Sequence, residues 1–293
     1  MSTRPTLTAV IAEAGGNADP AETLQSLSKA RVERALEIIV TGSAASQYPS
    51  ASGENIRSIP TPVGALVPAQ WAAGILAAEG PVVACLTTEL VVAPGWDTVL
   101  LEAIRGGAVG AGSAIALAAH APGAACGMYL VRFSPFLPRP GTRDDNAHAV
   151  PGDGAMYDRR AIMAHPDLLR DGFWEVEFHR RWLASGLRLV QTGDPFVEYR
   201  GCTPLTTGIA TRFRHGAEYG ATMVHNHGQG RLRHVFGAPV LPFVLAIRVI
   251  RKALRADISL GVILRGLVSL LGLTTAWSVG ELFGALRPAR RSA

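Results

Sequence analysis

The alternation of short β-branched runs with helical segments of ten or more residues, through the first hundred positions, restricts the fold more than any other feature. Residues 6–12 (TLTAVIA), 35–41 (ALEIIVT), 56–59 (IRSI) and 81–86 (PVVACL) read as strands. They are rich in Val and Ile and are bounded by Gly, Pro or polar clusters. A helix over 19–30 opens on Asp19-Pro20, an N-cap followed by a first-turn proline. Further helices are predicted over 68–79, closed by Gly80, and over 96–105. Strands joined by crossovers this long pair in parallel through right-handed βαβ units, which gives an α/β fold with a mostly parallel central sheet. Ligands of such sheets bind outside the carboxyl ends of the strands. Those ends are Ala12-Glu13, Thr41-Gly42 and Thr87-Thr88-Glu89. No repeat of 20–50 residues, no G-x-G-x-x-G and no Walker sequence occurs, so dinucleotide and P-loop readings have no support.

The chain has 293 residues, enough for one large domain or two smaller ones. At 48% apolar and 17% charged residues it is too apolar for a disordered chain. Cys85, Cys126 and Cys202 lie far apart without a C-x-x-C pair, which excludes the common structural zinc modules and a disulfide scaffold. The net charge is +5 and the isoelectric point near 9.5, a balance open to an anionic membrane or a nucleic acid. The arginines are scattered and not interleaved with aromatics, which argues against nucleic acid. No secretory signal is expected, because residues 1–4 are polar and the apolar run 7–11 is too short for one.

Much of the apolar excess lies in the last sixty residues. Over 242–256 (PFVLAIRVIRKALRA), Arg248, Arg251, Lys252 and Arg255 fall at i, i+3, i+4 and i+7, one stripe of a helix, with apolar residues over most of the rest. Such a helix suits an anionic membrane surface; the alternative is a helix packed on its own domain with a solvated basic face. Residues 258–286 carry only Arg265 and Glu281 as charges. The uncharged stretch 266–280 between them would be roughly 22 Å long as a helix, short of a hydrocarbon core of roughly 30 Å. Extending it through 258–264 would bury Arg265. An interfacial or re-entrant helical pair is therefore expected in place of a clean span, with Trp277, Arg287, Arg290 and Arg291 at headgroup level.

The order of segments resembles the family-2 glycosyltransferases of GT-A fold over about residues 6–235. Residues 8–16 (TAVIAEAGG) and 37–43 (EIIVTGS) stand where that family has its two nucleotide-binding strand ends. Residues 71–96 (WAAGILAAEGPVVACLTTELVVAPGW) stand where it has a helix, the Asp-x-Asp strand and a Pro-Trp segment. Residues 152–160 (GDGAMYDRR) and 172–186 (GFWEVEFHRRWLASG) match its Gly-rich segment with paired arginines and its Gly-Phe acidic helix. The resemblance implies a GT-A-like domain over 1–235 and a membrane-associating helical segment over 236–293.

It further implies inverting transfer of a sugar from a nucleotide-sugar donor to a lipid-linked or polysaccharide acceptor, at the cytoplasmic face of a membrane, as a peripheral or monotopic protein. Ala12, Glu13, Thr41, Gly42, Thr87 and Thr88 would bind the donor, and Glu89 would hold Mg²⁺ or Mn²⁺ on its diphosphate. Departures from the family pattern are plain: Thr41 replaces the base-reading aspartate, and Thr87-Thr88-Glu89 has one carboxylate where Asp-x-Asp has two. Glu175 takes the place of the catalytic base, the alternative being a helix N-terminal acid facing the macrodipole. Asp153 and Trp174 would meet the acceptor, although Asp153 in Gly-Asp-Gly also suits a simple turn.

His215, His225, His227 and His234 cluster in a Gly-rich stretch, without a carboxylate or cysteine at diagnostic metal-site spacing. In the enzymes the chain resembles, this region crosses under the site, which implies that Arg212, Arg214 and His215 meet donor phosphates or acidic lipid headgroups. The missing acids leave two other readings: a degenerate binding protein of the same fold, and a membrane-anchored assembly subunit.

Overall fold

The computed structural model describes residues 5–14, 19–29, 36–45, 56–201, 203–225 and 228–287. Gly15, Gly16, Cys202, His227, Arg290, Arg291 and residues 46–55 of the loop after the second strand lie outside these. The chain divides into two compact units: Met1–Ala118 with Phe136–Arg200, and Ala119–Pro135 with Gly201–Ala293.

The first is an α/β unit. In chain order it contains β1 (Leu7–Ala12), α1 (Ala21–Lys29), β2 (Leu36–Gly42), β3 (Ile56–Pro60), α2 (Val67–Ala77), β4 (Val82–Thr87), β5 (Leu90–Val92), α3 (Trp96–Arg105) and β6 (Gly110–Leu117). The chain then leaves for α4 (Gly123–Phe133) of the second unit. It returns for β7 (Arg143–Asp144), β8 (Ala155–Asp158), α5 (Arg159–Met163), α6 (Pro166–Leu169), α7 (Glu175–Ala184) and β9 (Leu189–Tyr199).

These strands form a nine-stranded sheet in the order β3-β2-β1-β4-β8-β6-β9-β5, with β7 beside β9. The parallel pairing expected from the strand–helix alternation holds across β3, β2, β1 and β4. Beyond them β8 runs antiparallel to both β4 and β6, and β5 and β7 run antiparallel to β9, so the sheet as a whole is mixed. Of these strands β6, β7 and β8 come from residues 110–158 and β9 from Leu189–Tyr199. Every residue of β1 and β4 is buried, as expected of parallel strands covered on both faces.

At the amino end of these strands the buried Glu37 carboxylate accepts from Thr8 Oγ1 at 2.6 Å and from the Glu79 backbone at 2.9 Å, and it pairs with Arg57. A buried charge held by this many donors is structural. The core packs Trp71, Tyr157, Phe173, Phe178 and Trp182 against the sheet.

The second unit is helical. Beside α4 it contains α8 (Leu205–His225), α9 (Arg231–Gly237), α10 (Leu241–Arg255) and α11 (Leu260–Leu286). Sequence reasoning placed a boundary after residue 235, which falls inside α9. The helical unit instead takes in α4 and α8, because both press their backbones onto α11. A Cβ on Gly216, Gly220, Gly280 or Gly284 would come within 2.0–2.3 Å, or closer, of carbonyl oxygens across the α8–α11 contact. A Cβ on Gly127 would lie 2.1 Å from Ser269 Oγ and 2.5 Å from Gly266 O. Gly123-x-x-x-Gly127, Gly216-x-x-x-Gly220 and Gly280-x-x-x-Gly284 are therefore three small-residue stripes on packed faces.

Within 258–286, Leu260–Leu286 forms one continuous helix, α11, and it is the one described helix long and apolar enough to cross a membrane; 33% of its most apolar window is buried in the protein. On α10, Pro242, Ala246, Val249 and Ala253 face inward, and the four basic residues are exposed. Most of the exposed large apolar side chains among the described residues belong to this unit, including Leu232, Phe236, Phe243 and Val268.

Candidate functional site

The carboxyl ends of three parallel strands stop at one level, since Ala12 pairs with both Thr41 and Thr87. The residues predicted at those ends are accordingly brought together. Glu13 N donates to Thr41 O at 2.8 Å, and Thr88 N donates to Ala12 O at 3.1 Å. Ala14 N donates to Thr88 Oγ1 at 3.1 Å.

Gly42 allows this approach, because a Cβ there would lie 2.4 Å from Glu13 Oε2. That oxygen accepts from Ser43 Oγ at 3.2 Å and Ala44 N at 3.1 Å, so Glu13 shapes the turn after β2. The side chains of Thr41 and Thr87 are fully buried, and Thr41 Oγ1 points back to Ile11 O at 3.4 Å. Ala12 and Gly42 are buried as well, so the surface of this strand-end cluster is made by Glu13 and by Ser43 and Ala44 of the turn it holds.

Gln70 was not singled out in the sequence. It is a lone polar residue in the apolar α2, and its Nε2 donates to Glu13 O at 3.0 Å while its Oε1 accepts from Glu13 N at 2.8 Å. Such a residue buried in an otherwise apolar helix has to find polar partners, and this was the available signal.

Glu89 is also fully buried, and its Oε1 accepts from Tyr199 OH at 3.4 Å. Among the described residues no group of three or more His, Cys, Asp or Glu is placed to hold a metal ion. A hard cation needs several oxygen ligands with room for water. One enclosed carboxylate beside the buried Thr87 and Thr88 does not supply them, so the residues present do not fit Mg²⁺ or Mn²⁺ on the donor. The four-histidine stretch likewise forms no such group among the described residues.

A second cluster lies at the same edge of the sheet. Gly154 N donates to Cys85 O at 2.7 Å, and Ala155 pairs with Cys85, so the turn Gly152-Asp153-Gly154 sits at the carboxyl end of β4. Gly154 holds a φ of +78°, a left-handed conformation suited to glycine, and its carbonyl accepts from Trp96 Nε1 at 2.9 Å. The Glu175 carboxyl lies directly over Gly152, where a Cβ would be 2.9 Å from Glu175 Cδ.

Glu175 is the first residue of α7, and Trp174 is its N-cap. The approach of α7 is fixed by Phe173 N, which donates to Pro68 O at 2.8 Å, and by Gly172, which has a φ of +111° and no room for a Cβ against α2. Trp174 Nε1 donates to Asp171 O at 3.1 Å, leaving the indole half-buried beside Glu175. The first turns of α2 therefore join both clusters: Gln70 holds Glu13, and Pro68 holds the segment that delivers Glu175.

The charge in this corner is felt by its neighbours. Burial pushes the Cys85 thiol up, and the carboxylates of Asp153 and then Glu175 raise it further. Tyr157 is raised by burial first, then by Glu175, Cys85 and Asp153, and its hydroxyl donates to Pro151 O at 3.0 Å. Behind Tyr157, His179 stacks at 5.9 Å, and burial lowers its pKa to about 3. Asp153 and Glu175 are far apart in sequence; the fold brings the Glu175 carboxyl onto the turn that carries Asp153, within electrostatic reach of Cys85 and Tyr157.

No protein-family profile and no curated protein matches the sequence. Among solved structures, the chain is similar to S. aureus TarS 1–349, with a TM-score of 0.48 and 9% identity, over 75% of this chain and 65% of that one. In that comparison it spans a little under two thirds of the other protein's length. It is also similar to S. aureus TarS 1–349 in complex with UDP-GlcNAc, with a TM-score of 0.49 and 10% identity, over 94% of this chain and 90% of that one. Likenesses this shallow carry nothing about chemistry.

Proposed function

We propose that the chain is a membrane-peripheral glycosyltransferase that moves a sugar, with inversion, from a nucleotide-sugar donor to a lipid-linked or polysaccharide acceptor. The observation that carries this reading is the close approach of the Glu175 carboxyl to the Gly152-Asp153-Gly154 turn at the carboxyl edge of β4, the edge at which Ala12, Thr41 and Thr87 also end. This is where an α/β sheet receives ligands, and it is where the GT-A resemblance puts donor and acceptor.

In this reading Glu175 is the general base. Its carboxylate removes the proton of the acceptor hydroxyl as that oxygen bonds to the anomeric carbon, and the opposite carbon–oxygen bond breaks. The nucleoside diphosphate leaves with the bonding electrons. Asp153 and the half-buried Trp174 hold the acceptor sugar, by hydrogen bonding and by contact with the indole face. The donor rests against Glu13 at the strand ends. No step is assigned to a metal ion.

Glu175→Gln should lower transfer by about 10²- to 10⁴-fold, the range of a lost general base, with donor binding retained. Unchanged transfer would remove Glu175 from this role. A thermal-shift screen of UDP-, GDP- and dTDP-sugars, with and without Mn²⁺, identifies the donor and tests its metal dependence.

A second reading is favoured by the enclosure of Glu89, Thr41 and Thr87: a binding protein of the same architecture, or a membrane-anchored assembly subunit, that does not turn over. Stabilisation by a nucleotide sugar without transfer to any acceptor would favour the binding protein. No response to any nucleotide sugar would favour the assembly subunit.

A further inference from the structure

The helical unit contains a cavity of about 580 Å³ inside the bend between α9 and α10, whose axes meet at 72°. Its walls come from α4, α8, α9, α10 and α11, and their chemistry is divided. Leu241, Leu245, Val249, Leu282 and Val131 make an apolar part, Arg212, Arg233 and Arg248 bring guanidinium donors to it, and His234 brings a ring nitrogen. Glu281 is the one carboxylate in the lining, and it is already engaged: Oε1 faces His234 Nδ1 at 2.8 Å, and Oε2 accepts from Trp277 Nε1 at 3.2 Å. The Arg212 guanidinium lies 5.9 Å from the Trp277 ring centroid. Three guanidinium groups thus face one carboxylate in the lining.

His234 supplies the observation that points to a ligand. The residue is only 5% exposed, and its Nε2 has no hydrogen-bond partner among the described residues, although Nδ1 is held by Glu281. A buried polar nitrogen on a cavity wall, with its ring fixed from the other side, is a preset contact for a polar group entering the cavity.

The outside of the same unit says what else the ligand carries. At about 100° per residue, α10 has three faces. One is buried, one bears Arg248, Arg251, Lys252 and Arg255, and the third exposes Phe243, Ile247 and Leu254. Leu232 and Phe236 of α9 are exposed as well, at 70% and 75%. A helix that is apolar on an outward face and basic beside it lies at a membrane interface, with the apolar strip in the acyl region and the cations at phosphate level.

We propose that this cavity is a binding site for one phosphate-bearing membrane lipid. Its phosphate is held by Arg212, Arg233 and Arg248, with a protonated phosphate oxygen donating to His234 Nε2, and its acyl chains start from the apolar part of the cavity at Leu241, Leu245 and Val249. The proposal rests on the membrane-surface part of the reading above and is independent of the transfer chemistry at Glu175.

Calorimetric titration of the full chain with dihexanoyl phosphatidic acid, kept below its micelle concentration, tests it against inorganic phosphate and dihexanoyl phosphatidylcholine. The expected result is one saturable site for the phosphatidic acid, with inorganic phosphate at least tenfold weaker. Replacing Arg233 and Arg248 together by Ala should weaken this binding at least tenfold. Replacing Arg251 and Arg255 by Ala, on the same basic face but outside the cavity, should leave it within about twofold, though flotation with anionic vesicles falls.

Equal affinity for inorganic phosphate would make this a free-phosphate site and overturn the lipid assignment. Equal loss in both double variants would reduce the effect to surface charge, and absence of a saturable site would remove the proposal. None of these outcomes touches the Glu175→Gln result, so the two readings fail separately.

Discussion

In the α/β unit the interior is filled by rings: Tyr157 meets Phe173 edge-on at 5.0 Å, Phe178 lies 4.9 Å from Phe173, and Trp182 lies 5.5 Å from Phe178. In the helical unit the closest contacts are made where side chains are missing, with Gly280 and Gly284 against the carbonyls of Phe213 and Ala217. The first interior gains its stability from apolar area removed from water. The second lets backbones approach so that dispersion acts at short range, a device suited to a unit whose outer surface stays apolar.

Each unit also holds a histidine whose pKa is lowered to about 3, for different reasons. For His179 the cause is burial alone, whereas for His215 burial is joined by the positive charges of Arg212, Arg132 and Arg214.

The sharpest way to break this contrast is to remove mass from one interior and add it to the other. Trp182→Ala should cost about 3–5 kcal/mol, the range for deleting a buried large aromatic, measured by chemical denaturation. A loss under about 1 kcal/mol would show that the ring cluster is not what holds the unit. Gly284→Ala adds one methyl group where a Cβ would lie 1.9 Å from Ala217 O, and overpacking of this kind costs about 1–3 kcal/mol. A neutral or stabilising result would mean that α8 and α11 are not in backbone contact.

The histidines give the next effect. The unfolded-state pKa is near 6.5 and the folded value about 3. Between them the unfolded chain binds more protons, so stability is complete above pH 6.5 and falls as pH drops toward 3. By pH 5 the fully buried His179 should have cost about 2 kcal/mol. His179→Leu should remove its share of that acid slope, and an unchanged slope would show that His179 is not buried in neutral form.

The smallest effect separates the two sites. Arg214→Gln should move the titration of His215 upward, followed by NMR, and leave His179 unmoved. The shift is small because burial remains the larger cause.

Strands β1, β2 and β4 were legible because each is a Val- and Ile-rich run with a turn signal after it, and α1 because Asp19 precedes Pro20; Asp19 Oδ1 accepts from Ala21 N at 2.8 Å. The carboxyl-end rule then pointed to Ala12, Glu13, Thr41, Gly42, Thr87 and Thr88, and the strands do end together. Which of their atoms face a ligand was not legible. Nothing in the sequence says that Thr41 Oγ1 turns back to Ile11 O, or that Glu89 is enclosed against Tyr199.

The membership of α4 in the helical unit escaped sequence reasoning as well. Its partner, α11, lies more than a hundred positions away, and its Gly-x-x-x-Gly becomes a packing motif only when a second backbone arrives. Gln70 escaped for the same reason, since its role depends on Glu13, 57 positions earlier.

The sequence by itself determined the local elements, the parallel half of the sheet, the basic stripe of α10 and the residues at the strand ends. Each follows from periodicity, propensity or charge within about twenty residues. The tertiary structure decided what depends on close approach between distant segments. It set the Glu175 carboxyl on Gly152 beside Asp153, interlocked the glycines of α8 and α11, and closed the cavity in which His234 keeps one nitrogen without a partner among the described residues. Hydrogen bonding and exclusion of water act over about 3 Å in space whatever the separation along the chain. Such neighbours exist only once the chain has folded.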